Sequence, residues 1–163
     1  MSALAQITAG GAVYDVRRAV AGDVAAIVAL IAVDHIGATR DGGDLAPYER
    51  AFAAIDADPG QLLVVVTDAA GAIAGTLQLT LIPGLARRGA LRAHIEAVRV
   101  RDDLRSAGIG RALLGWAIDE ARRRDCALVQ LTCDKRRKDA HRFYERLGFT
   151  ASHEGFKLRL AEA

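Results

Sequence analysis

The chain has 163 residues, 52% of them hydrophobic and 26% charged, a balance that excludes intrinsic disorder. That length suits one domain over residues 1–163, burying roughly 70% of its unfolded surface. A net charge of +2 excludes a broad electrostatic footprint for nucleic acid, so none is expected as a partner.

Met1 to Gly11 has neither a basic start nor an apolar run, so no signal peptide is expected and the cytoplasm is the expected location. Tyr14 to Ala19 alternates as a first strand. Gly22-Asp23 opens an apolar helix running to about Asp34, with Ile27, Leu30 and Ile31 at core-facing spacing. Its apolar stretch, Val24 to Val33, is about half the ~20 residues of a membrane span, so no membrane partner is expected. Gly37 to Asp44 reads as a loop, and Pro47 to Asp58 as a second helix stopped by Pro59-Gly60.

Leu62 to Val66 is a second strand, Asp68 to Gly71 a turn, and Ile73 to Ile82 the returning strand, broken by Pro83-Gly84. After a basic loop with Arg87, Arg88 and Gly89, a fourth strand runs from about Arg92 to Arg101. Gly108 to Arg124 is the strongest helix, with Ile109, Leu113, Trp116 and Ala117 recurring on one face. Ala127 to Cys133 is a fifth strand. Lys138 to Leu147 is a short helix ended by Gly148, and Phe149–Ser152 and Gly155–Leu160 are closing strands. Cys126 and Cys133 lack the spacing of a metal site and read as reduced thiols, so no metal is expected.

The segment Ile95-Glu96-Ala97-Val98-Arg99-Val100, the link Arg101–Arg105, and then Ser106-Ala107-Gly108-Ile109-Gly110-Arg111 carries the chemistry. A strand entering a Gly-bearing turn and then a helix makes an anion site. The first helical N–H groups have no internal partner, and the helix dipole adds positive charge there. Gly108 and Gly110 let a pyrophosphate approach the main chain, and Arg105 and Arg111 can add side-chain contacts. A P-loop needs Gly-Lys-Ser/Thr, whereas Gly110-Arg111-Ala112 stands here. A dinucleotide fingerprint needs a third Gly where Leu113 stands, and places its motif on the first strand of the fold.

The remaining pattern, Arg-x-x-Gly-x-Gly after a Val-x-Val strand, resembles the acetyl-CoA signature of the GNAT superfamily of N-acetyltransferases. Ala140 to Phe149 is similar to that family's late helix-to-strand element, and Asp23 opens the first helix as it commonly does there. The resemblance implies one α/β (α+β) domain. Its sheet would be mixed and mostly antiparallel, with six to seven strands, splayed between the fourth and fifth, and flanked by about four helices. It implies acetyl-CoA as co-substrate. The main chain of Val98, Arg99 and Val100 would bind the pantetheine arm as an added strand, and Arg105, Ser106, Ala107, Gly108, Ile109, Gly110 and Arg111 would bind the pyrophosphate.

The same resemblance makes Glu96 the base that deprotonates an amine and Tyr144 the acid that protonates the leaving thiolate. The other readings are a salt-bridged carboxylate for Glu96 and a packed aromatic beside Phe143 for Tyr144. His94 shares the face of Glu96 if no bulge intervenes, and reads as structural or as an assistant. Cys133 reads as packing or pocket wall, because the resemblance implies direct attack, which needs no acyl-enzyme. The run Lys135-Arg136-Arg137-Lys138 is a solvated face or a phosphate contact. Arg137 stands where many relatives carry a coenzyme-binding Asn.

Within the superfamily, the stretch Lys135 to Tyr144 with Ser152-His153 is similar to aminoalkylphosphonate N-acetyltransferases. The implied partner is a small-molecule amine acceptor, and the family admits a homodimer. Two other functions stay open on sequence: a protein N-acetyltransferase and a non-catalytic acyl-CoA-binding regulatory module.

Overall fold

In the computed structural model, which describes residues 2–33, 43–158 and 160, the chain opens with a hairpin that the sequence reading did not foresee. Strand β1 (Ala5–Ala9) pairs antiparallel with β2 (Ala12–Arg18) through Gly10 and Gly11. Both glycines have positive φ, 56° and 79°, as the twist of a two-residue hairpin turn demands. The strand expected first is therefore the second, and each later strand moves up one place.

After a single 3-10 turn (Ala21–Asp23) come helices α1 (Val24–Ala32) and α2 (Ala46–Ala57). The predicted helix end at Asp34 and the loop residues Gly37, Thr39, Asp41 and Gly42 lie outside the described residues. Asp23 anchors this corner. Its carboxylate accepts the Val20 N–H at 2.8 Å and pairs with both terminal nitrogens of Arg17 at 2.7 and 2.9 Å. That Arg17 pairing, helped by the backbone bond, holds the Asp23 carboxyl below its ordinary range against the opposing effect of burial.

Strands β3 (Gln61–Thr67), β4 (Ile73–Ile82), β5 (Arg92–Val100) and β6 (Leu128–Leu131) complete a six-stranded sheet in the order β1-β2-β3-β4-β5-β6. The first five strands are antiparallel neighbours. Val64, Val65 and Val66 are fully buried in succession, so β3 is covered on both faces. Helix α4 (Ile109–Arg123) buries Ile109, Leu113, Leu114, Trp116, Ala117 and Ala121, the three-to-four spacing read from sequence. Each leucine so placed contributes about 1.5–3 kcal/mol. Between β4 and β5 lies a single turn, α3 (Ala86–Gly89), in which Arg87 and Arg88 are left-handed.

The chain divides into two compact units, residues 1–130 and 131–163. The second unit carries helix α5 (Lys138–Arg146), stopped at Gly148 with φ 91°. The two predicted closing strands are not formed: among the described residues no strand follows β6. Phe156, Leu158 and Leu160 do alternate as a strand would, but they are 93%, 84% and 90% exposed. Alternation without a ladder partner or an apolar face to cover does not hold a strand. The predicted fifth strand is likewise shorter than Ala127–Cys133. No helix among the described residues is long and apolar enough to cross a membrane.

Candidate active site

Strand β5 organises the site. Ala93 and Ile95 point into the core, whereas Arg92, His94 and Glu96 take the other face, with Arg92 and His94 half-buried and Glu96 exposed. Opposite β4, Gln78 pairs with Glu96 but Thr76 pairs with Arg99, so β5 carries one extra residue. Ala97, with φ 52°, supplies it. This is a β-bulge, which leaves a residue out of the ladder and bends the strand. It falls after Glu96, so His94 and Glu96 share a face, as sequence spacing allowed only in the absence of an earlier bulge. Beyond it, β4 and β5 come close at Gly75, where a Cβ would stand 2.8 Å from the Arg99 carbonyl oxygen.

A row of polar contacts runs along this face. Arg92 Nη1 donates to Gln130 Oε1 at 3.4 Å, the Gln130 amide nitrogen meets His94 Nδ1 at 3.5 Å, and His94 Nε2 lies 3.7 Å from Glu96 Oε2. Gln130 comes from β6, the neighbour of β5 in the sheet, and just before that strand the Ala127 N–H donates to Leu91 O at 2.8 Å. The sequence reading missed Gln130, although a glutamine amid Leu128, Val129 and Leu131 was a signal. It also passed over Arg92 as the mere start of a strand.

Val98, Arg99 and Val100 follow the bulge, and Arg99 Nη1 donates to the Val98 carbonyl at 2.8 Å. A 3-10 turn (Asp102–Leu104) then leads to the loop Arg105–Arg111. Ser106 (φ 69°) and Gly108 (φ 89°) are both left-handed, and Gly108 caps α4. The Ala112 N–H donates to the Gly108 carbonyl at 3.0 Å. The N–H groups of Ile109, Gly110 and Arg111 thus precede the helical ladder. The first turn of α4 contains no acid, so no carboxylate there competes with a bound anion for the positive end of the dipole.

Arg105 is held 2.5 Å from Asp102, both exposed, and Arg101 pairs with Asp103 at 2.7 Å. The unforeseen hairpin backs the loop: a Cβ on Gly10 would meet Ala107 at 3.3 Å, and one on Gly108 would reach Ala9 at 4.0 Å. Main-chain donors, glycine at the approach and an acid-free helix entry together suit a pyrophosphate.

In the second unit, Tyr144 lies on α5 with its ring 5.4 Å from Phe143 and 6.0 Å from Phe149. It therefore has the aromatic packing that the structural reading expected, and that packing fixes its ring. Burial, and then the Asp134 charge, push the Cys133 thiol above its ordinary value. A thiol held neutral is a poor nucleophile, which agrees with Cys133 as packing. The basic run is largely matched. Arg136 grips Asp134 at 2.8 and 3.0 Å and drives its carboxyl far below the usual range, Lys135 pairs with Glu154 at 3.4 Å, and Arg142 with Asp139. Among the described residues no His, Cys, Asp and Glu group could hold a metal ion.

A family model described as acetyltransferase (GNAT) family matches residues 25–149. The aminoalkylphosphonate N-acetyltransferase of Salmonella typhimurium is 40% identical over 67 residues, 41% of this chain and 44% of that protein. The glucosamine 6-phosphate N-acetyltransferase of Trypanosoma brucei brucei is 34% identical over 90 residues, 55% of this chain and 59% of that protein. The matched stretch thus spans less than two thirds of either relative. A solved structure from Bacillus halodurans C-125, described as a transcriptional regulator, is 43% identical with a TM-score of 0.86. That match covers 90% of this chain and 99% of the other.

Proposed function

The chain belongs to the acetyltransferase (GNAT) family, whose co-substrate is acetyl-CoA, and from that premise we propose that it acetylates the primary amine of a small molecule bearing a phosphonate or phosphate group. One observation carries the acyl-transfer reading. Strand β5 presents the Glu96 carboxylate on its open face, bulges at Ala97, and leads through one 3-10 turn to a glycine-capped helix whose first turn is free of acid.

The co-substrate supplies a thioester that a neutral amine attacks directly, the C–N bond forming as the C–S bond breaks. Glu96 takes the proton of the acceptor ammonium, because only the free amine has the lone pair. Tyr144 gives its hydroxyl proton to the departing sulfur; a phenol of ordinary pKa about 10 is matched to that task. The main chain of Val98, Arg99 and Val100 binds the pantetheine arm, where the bulge turns the strand out of its regular ladder. The Arg105–Arg111 loop binds the pyrophosphate, chiefly through the N–H groups of Ile109, Gly110 and Arg111 that precede the helical ladder, with Arg111 as an added cation.

The acceptor class draws support from the two relatives described as acting on aminoalkylphosphonates and on glucosamine 6-phosphate. A thiol-release assay with acetyl-CoA and paired amines, with and without a phosphorus oxyanion, tests it. Turnover confined to peptides would overturn it. The likeness to a protein described as a transcriptional regulator favours a second reading, an acyl-CoA-binding regulatory module. Acetyl-CoA binding with no thiol release for any amine would establish that one instead.

A further inference from the structure

From the row of side chains on β5 we infer that the head of this strand is the subsite that holds the acceptor's phosphorus oxyanion, with Arg92 as its inner clamp and Arg87 and Arg88 as its outer one. The inference rests on the acceptor class proposed above and locates it on residues that the resemblance did not single out.

The first ground is register. Arg92 and Glu96 share a face of one strand, about 13 Å apart along it, with His94 between them. Gln130 ties Arg92 to His94, and His94 lies against Glu96. An anion at Arg92 is thereby placed up-strand of the proposed base, within reach of a short amine whose nitrogen lies at Glu96.

The second ground is charge. No Asp or Glu occurs between Asp68 and Glu96, whereas Arg87, Arg88 and Arg92 do. Arg87 and Arg88 are exposed, and among the described residues neither has a carboxylate partner. The late-helix cations that the sequence suggested as a clamp are in a different state. Arg136, Arg142 and Lys135 already hold Asp134, Asp139 and Glu154. To bind a phosphonate they would first have to surrender a carboxylate. The β4–β5 loop has nothing to surrender.

The third ground is backbone conformation. Arg87 (φ 55°) and Arg88 (φ 61°) are successive non-glycine residues in the left-handed region, followed by Gly89 (φ 77°), with Gly89 N–H closing onto the Leu85 carbonyl at 3.1 Å. Each such arginine opposes folding, and conformations of this kind persist where function uses them. The turn places these two exposed arginines in succession at the tip of the loop. At its base, Arg92 Nη2 lies 3.9 Å from where a Cβ on Gly84 would be, which places that nitrogen beside the start of the same loop. A tetrahedral dianion can accept from several such planar forks at once.

The test compares 2-aminoethylphosphonate with propylamine as acceptors, and methylphosphonate as a competitive inhibitor, in the wild type, Arg92→Gln, the double variant Arg87→Gln/Arg88→Gln, and Arg122→Gln on the outer side of α4 as control. The wild type should favour the phosphonate amine. Arg92→Gln should raise its KM and the methylphosphonate inhibition constant by about ten- to a hundredfold, with kcat changed far less and the preference over propylamine lost. The double variant should do the same to a smaller degree. It alters only exposed side chains, so it keeps the test decisive if Arg92→Gln does not fold. If the wild type prefers the phosphonate yet both variants keep that preference and inhibition constant within twofold, the subsite is refuted and the acceptor class survives. If the wild type shows no preference for the phosphonate amine, both fall.

Discussion

Gly108 is the position where the coenzyme assignment is most exposed to refutation. It caps α4 at φ 89° and ψ −1°, a conformation that asparagine and aspartate tolerate better than other side chains. Either side chain has room, since only the Ala9 methyl lies near an added Cβ, at 4.0 Å. Gly108→Asn and Gly108→Asp therefore share a backbone cost of about 1 kcal/mol in stability and differ by a single negative charge. That charge would stand about 5 Å from a bound pyrophosphate. At an effective dielectric near 20 the repulsion is about 3 kcal/mol, roughly a two-hundredfold loss of affinity. With a screening length of about 8 Å at physiological salt, most of it persists there. Calorimetric titration of coenzyme A into both variants reads the difference directly, and Asn should bind far more tightly than Asp at low salt. Equal affinities in two folded proteins would remove the pyrophosphate from this loop.

Glu96→Gln should lower kcat by about 10²–10⁴-fold while leaving acetyl-CoA affinity near that of the wild type, as measured by thiol release and calorimetry. Tyr144→Phe should lower turnover with near-normal coenzyme affinity, and full activity would remove the phenol from the mechanism. Asp23→Asn should destabilise the fold by about 2–3 kcal/mol near neutral pH, because it leaves Arg17 half-buried without its charge partner. The Asp23 carboxyl is depressed in the folded state, so its stabilisation is present above the unfolded value of about 3.9 and is lost as pH falls through the folded value. Denaturant titrations of Asp23→Asn and wild type should accordingly differ at neutral pH, begin to approach each other near the unfolded value, and converge only below the depressed folded value.

The parts of this molecule legible in the sequence are those that repeat. Ile109, Leu113, Trp116 and Ala117 mark α4 because burial on a helix recurs at a fixed spacing. The β3–β4 hairpin shows for the same reason, with its turn residues between two apolar strands. β1 was illegible because Ala5-Gln6-Ile7-Thr8-Ala9 offers one large apolar side chain and small neighbours. Only the Gly10-Gly11 pair signalled a turn. The closing strands failed the other way, since Phe156, Leu158 and Leu160 have the period of a strand but stay exposed.

The site divides along the same line, and the division has a physical cause. The helix entry could be read because glycine types the backbone that an anion needs: Gly108 is left-handed, and no other residue type would have announced it. The bulge could not be read, because alanine took a left-handed conformation at Ala97 where nothing in Glu96-Ala97-Val98 distinguishes it from regular strand. Yet the bulge governs the assignment of roles on β5. Arg92, His94 and Glu96 share the open face by regular alternation, and the bulge after them shifts the strand's phase by one residue so that Arg99 falls opposite Thr76. Without that shift, Arg99 would have fallen on the face opposite Glu96 by simple alternation. An ordinary strand offers one polar face and a fully engaged ladder. The bulged strand offers a polar face up to Glu96 and a bent main chain after it, which is what a base and an extended ligand need side by side. Ala97→Pro, which cannot adopt a positive φ, should therefore disturb both functions at once, raising the coenzyme Kd and lowering kcat together. Loss of only one would separate the base from the binding strand.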